Sequence, residues 1–200
     1  MSINKLILDV ERKAERNGIS IKLIDKKAIV YPGEKIKTNG YFCSSKMLLA
    51  VAVGKPQKEW LPIFIHESCH MDQVIFDPYQ WEKWNVGYTL FFEWLDGKEL
   101  PIRILKKCWR DIVECELDCE MRTLQKIKKY QLPINPDWYV KASNVYLYSY
   151  NYLMKVRKWK TGLYEDKSLL ENAPNEFKKP HQYGKIPMQL RTSFKIFYES

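Results

Sequence analysis

The chain has 200 residues, of which 46% are hydrophobic and 14% aromatic, so it can bury a substantial core and is not a disordered polyelectrolyte. Its formal net charge of +9 lies wholly in one part: residues 1–120 carry 18 Lys+Arg against 18 Asp+Glu, leaving the excess to residues 121–200. No apolar run approaches the roughly 18–20 residues of a membrane span, and Met1 to Val10 is charged, without the apolar centre of a secretory signal.

Ser2 to Asn17 reads as a helix, with Ser2 as N-cap, Ile3, Leu6, Ile7 and Val10 in step, and Gly18 as its stop. Three short β-like runs follow: Ile19 to Ile24, Ala28 to Tyr31 before Pro32-Gly33, and the apolar Met47 to Val53, which ends at Gly54. A helix is expected from Pro62 to Phe76, with the proline near its first turn. Tyr79, Trp81, Trp84, Tyr88, Phe91, Phe92 and Trp94 recur at helical spacing, a pattern that predicts core. Pro101 to Tyr130 reads as one long helix, closed by Pro133. A further helix is expected from Pro136 to Trp159, then a loop holding Gly162, Pro174 and Pro180, and a short helix from Pro187.

The segment with specific chemistry is His66-Glu67-Ser68-Cys69-His70, which uses two of only three histidines. On a helix, positions i and i+4 share a face, so both imidazoles can reach one metal ion while Glu67 stands beside it. Two neutral nitrogen donors, an open coordination position and a carboxylate base are what a zinc hydrolase needs. The preceding Leu61 to Ile65 is uncharged, so the helix is expected to be buried, where histidines and a glutamate without a metal would be costly.

On this box the chain resembles the zincin metallopeptidases. Asp72 departs from their pattern, which commonly has a hydrophobic residue there, and Gln73 and Phe76 exclude the metzincin extension. The order of helix, small sheet, HExxH helix and acidic helix resembles the minimal gluzincin core and implies an α+β zincin-like fold. That resemblance implies a third ligand taken as a glutamate from the later helix, with an acid four residues on orienting a histidine. Two pairs have this spacing, Glu116 with Glu120 and Glu114 with Asp118. On a helical wheel Leu105, Trp109, Ile112, Cys119 and Ile127 centre an apolar face that includes Glu116 and Glu120, whereas Glu114 falls opposite. A carboxylate within an apolar stripe needs a partner, so Glu116 is the expected ligand and Glu120 the group on a histidine N–H, with Glu114 as the alternative ligand.

The resemblance further implies an edge strand beside the cleft, for which Met47 to Val53 is the candidate, and a distal donor over the attacked carbonyl, for which His181 and Tyr183 are candidates. Over about residues 45–130 the chain is also similar to small phage-borne and bacterial HExxH proteins. The expected organisation is a zincin-like core over residues 1–132 with a basic, aromatic-rich helical extension over 133–200 packed on it as one domain.

Five cysteines in this distribution predict reduced thiols and a cytoplasmic setting. Lys126, Lys128, Lys129, Lys155, Arg157, Lys158 and Lys160 interleave with Tyr146, Tyr148, Tyr150, Tyr152 and Trp159, a mixture suited to a nucleic-acid backbone and its bases. Two functions follow: a Zn2+-dependent peptidase acting on a protein or peptide, with Glu67 as general base, or a non-catalytic zinc-stabilised module contacting nucleic acid through the basic C-terminal part.

Overall fold

The structure is a computed structural model that describes residues 2–32 and 37–199, so Gly33 of the expected turn lies outside the described residues. Among the described residues are seven α-helices, a three-stranded sheet and a two-stranded ladder, the α+β class that the sequence implies. By compactness the chain divides into one unit of residues 1–78 and 119–134 and another of residues 79–118 and 135–200.

In the first unit, α1 (Ile3–Arg16) buries Leu6, Val10 and Ala14, one helical face, and ends before Gly18, whose positive φ of 65° suits glycine. Strands β1 (Ser20–Ile24), β4 (Gly40–Cys43) and β5 (Leu48–Ala52) form a sheet of order β1-β5-β4, while β2 (Ile29–Val30) pairs antiparallel with β3 (Lys37–Thr38). The expected edge strand is therefore the central one. β5 runs parallel to β1 through Ser20↔Leu48 and antiparallel to β4 through Phe42↔Leu49. Leu49 to Ala52 have no exposed surface, which accounts for the unbroken apolar run: both faces of the strand are covered. β4 is an outer strand that the sequence reading passed over. It approaches the next helix closely, because a Cβ at Gly40 would lie 2.6 Å from the Ile63 side chain.

That helix, α2 (Gln57–Phe76), begins five residues earlier than expected and carries Pro62 inside it, forgoing one backbone hydrogen bond. Helix α4 (Ile102–Tyr130) is a single run of 29 residues and contributes to both units. Its last turns join the first unit's core through Ile127 and Tyr130.

The second unit holds α3 (Pro78–Leu95), the first half of α4, α5 (Pro136–Val156), α6 (Lys167–Asn172) and α7 (Met188–Glu199). The aromatic stripe divides: Phe91 and Trp94 are buried, whereas Tyr79 and Tyr88 are exposed. Asn135 caps α5 by accepting from the Asp137 and Trp138 amides, with Pro136 at the first helical position. α5 stops at Val156 because Arg157 turns left-handed (φ 49°) and donates to the Trp94 and Lys98 carbonyls and to Glu99. Of the tyrosines in the basic, aromatic segment, Tyr148, Tyr150 and Tyr152 are buried in this core. Of the interleaved cations, Arg157 is occupied as above and Lys160 donates to the Phe197 carbonyl. No helix among the described residues is long and apolar enough to cross a membrane.

Candidate metal centre

His66 and His70 stand one turn apart on α2, and their Nε2 atoms converge to 3.0 Å with the rings edge to face. Each ring is held from behind. Gln73, three residues past His70, presents its Oε1 2.8 Å from His70 Nδ1, which assigns the proton to Nδ1 and leaves a lone pair on Nε2. Glu120 Oε1 lies 3.3 Å from His66 Nδ1, with the same consequence for His66. Two lone pairs then face each other at 3.0 Å, where a proton shared by the two rings or a bound cation would relieve their repulsion. Two nitrogens on a tetrahedral zinc ion at about 2.0–2.1 Å lie roughly 3.3 Å apart, close to the separation here.

Burial, and then His66, holds His70 far below the ordinary imidazole range, at about 3, so it is a neutral donor at physiological pH. Burial pushes the Glu67 carboxyl up, opposed by His66 and by a hydrogen bond from the Phe42 amide, and Glu120 adds to the rise. That amide belongs to the outer strand β4, so the strand meets the carboxylate expected to act as base.

Glu116 and Glu120 are both buried, one turn apart on α4. Ligand atoms of His66, Glu116 and Glu120 lie within 4.8 Å of one another, as do those of His66, His70 and Cys119. In the second group the Cys119 thiol donates to the His66 carbonyl at 3.3 Å, and its sulfur is 3.5 Å from Nδ1, the side away from the converging nitrogens. Glu120 of the first group likewise meets His66 on its Nδ1 side. Around Glu116 the second unit gathers tyrosines. Burial raises the Tyr146 and Tyr150 hydroxyls well above their ordinary value, and Glu116 is the next cause in both.

The remaining candidates stand elsewhere. Glu114 is half-buried and belongs to neither group that could hold a metal. Tyr183 is no cleft donor: it is fully buried, and its hydroxyl donates to Asn144 Oδ1 at 2.5 Å while accepting from the Lys178 amide. His181 is exposed in the 3-10 turn Pro180–Gly184 and belongs to neither metal group. Gln73, Phe42 and the Tyr146–Tyr150 pair are neighbours that sequence reasoning missed. Only Gln73 left a signal, its i,i+3 spacing from His70.

Beyond the histidines lies a buried ionic cluster. Asp72, the residue that departs from the zincin pattern, accepts from Lys13 at 2.7 Å and Lys126 at 2.9 Å, and Lys126 also donates to Ser68 Oγ at 2.8 Å. Two lysines, from α1 and α4, thus converge on this one carboxylate.

Compared with family models, with curated proteins and with solved structures, the chain matches none.

Proposed function

We propose that this protein is a zinc-dependent peptidase of gluzincin type, with His66, His70 and Glu116 as the metal ligands. The observation that carries the reading is the pair of imidazole nitrogens converging to 3.0 Å with both rings oriented from behind. A bound zinc ion would supply Lewis acidity toward water and the scissile carbonyl. Glu67 takes the proton of the attacking water and returns it to the leaving amine. Its upward shift brings its basicity closer to that of a group which must both accept and give a proton near neutrality. Gln73 and Glu120 fix the two rings and raise their donor strength. An extended peptide would pair along β4, the outer strand that meets Glu67 through Phe42. The five cysteines are free thiols, which supports a reducing compartment such as the cytoplasm.

The test is elemental analysis of purified variants alongside cleavage of a mixed peptide library. Glu67→Gln is expected to keep its metal and to lose about 10²-fold to 10⁴-fold in cleavage rate; an unchanged rate would refute the mechanism. His66→Ala, His70→Ala and Glu116→Gln are expected to lose the metal while Glu114→Gln keeps it. The reverse outcome for the two glutamates would move the third ligand to Glu114.

A further inference from the structure

A second concentration of charge lies within the first unit, where α1 faces the last turns of α4 across a cavity of about 330 Å³. Its lining includes five cations, Arg12, Lys13 and Arg16 from α1 and Lys126 and Lys129 from α4, over a floor of Leu6 and Val10. Among the described residues two carboxylates answer them. Asp72 is shared by Lys13 and Lys126, and Asp9, on the cavity wall, accepts from the Tyr130 hydroxyl at 2.9 Å. Among the described residues no carboxylate pairs with Arg12, Arg16 or Lys129, so three positive charges converge on one pocket without a counter-ion. Arg12 and Arg16 are one helical turn apart, a spacing that lets two guanidinium forks reach neighbouring oxygens. Lys126, partly withdrawn from solvent and anchored on Asp72 and Ser68, gives the pocket a fixed cationic floor rather than a set of mobile surface lysines.

We infer that this pocket binds a compact phosphate-bearing anion, of the size and charge of pyrophosphate, between Arg12, Arg16 and Lys129 with Lys13 and Lys126 beneath. Arginine forks match phosphate oxygens bidentately, and a partly enclosed site screens the attraction less than open solvent does. The site is separate from the metal reading and does not depend on it.

The experiment is calorimetric titration of inorganic pyrophosphate into the full chain at low ionic strength, repeated with Arg12→Ala/Arg16→Ala. Both arginines are exposed, so the double variant is expected to keep its fold and its metal content, checked by circular dichroism and elemental analysis. The inference expects saturable binding at one site per chain, weakened about tenfold or more in the double variant. Absence of saturable binding in the wild type, or undiminished binding in the folded double variant, would overturn it. A single-stranded oligonucleotide that binds through these arginines while pyrophosphate does not would also overturn it, assigning the face to nucleic acid. Loss of metal binding in the histidine variants with pyrophosphate binding intact would leave this inference standing and bear only on the peptidase reading.

Discussion

At His70 burial and the neighbouring imidazole keep the ring neutral down to about pH 3, whereas an unfolded chain protonates it near its ordinary value of about 6.5. Between those values the unfolded state binds more protons, so the metal-free protein is expected to lose stability as pH falls from about 6.5 toward 3. The slope from this group is on the order of 1 kcal/mol per pH unit. Urea melts across that range, set beside His70→Gln, would measure it; equal slopes in the two proteins would contradict the assignment. The other ring depends on Glu120. Glu120→Gln leaves the proposed ligands His66, His70 and Glu116 in place but weakens the acceptor on His66 Nδ1, so on that proposal metal affinity is expected to fall about 10-fold to 100-fold in a competitive chelator titration. The histidine box and the Glu116–Glu120 spacing were legible in the sequence, because helical periodicity dictates which residues share a face. Gln73 was legible only as a residue that excluded another pattern, and the Phe42 amide was not legible, since a backbone donor leaves no trace in residue identity. Tyr183 misled for a related reason: composition marked a turn, and only packing reveals that the ring enters the core.

Helices α1, α2 and α4 meet at one buried carboxylate, Asp72, and this is where the first unit is most sensitive to a single change. Asp72→Ala would leave Lys126 with Ser68 and the Cys69 sulfur but without its carboxylate partner, in a buried setting where a weakly paired ammonium is unfavourable. The expected cost is about 3 kcal/mol in equilibrium unfolding. A loss below about 0.5 kcal/mol would mean that Lys126 finds water instead. Element existence was largely readable: α1, α4 and α5 fall close to where prolines, a stop glycine and apolar spacing put them, while α2 starts five residues ahead of its proline. Strand order was not. A continuous apolar run such as Leu48 to Ala52 announces burial on both faces but not which strands supply its neighbours. β4 is only four residues long, too short for its alternation to stand out.

Across the whole molecule, a metal that binds the folded chain and not the unfolded one raises stability by mass action. With free zinc about 100-fold above its dissociation constant the gain is about 2.7 kcal/mol, which for a chain of this length corresponds to roughly 5–10 °C in Tm. Scanning calorimetry of chelated and zinc-loaded protein would measure it, and coincident transitions would count against a folded-state site. The molecule also places a demand on α4 that no substitution reveals. Glu116, Glu120 and Lys126 occupy one unbroken helix, so their directions are locked to the residue count between them. One residue inserted between Glu116 and Glu120 would swing everything beyond it by about 100°, turning Glu120 from His66 and Lys126 from Asp72 together. Point changes on the outer face of this helix are tolerable, but a change of length is not: the segment from 116 to 126 serves as a ruler.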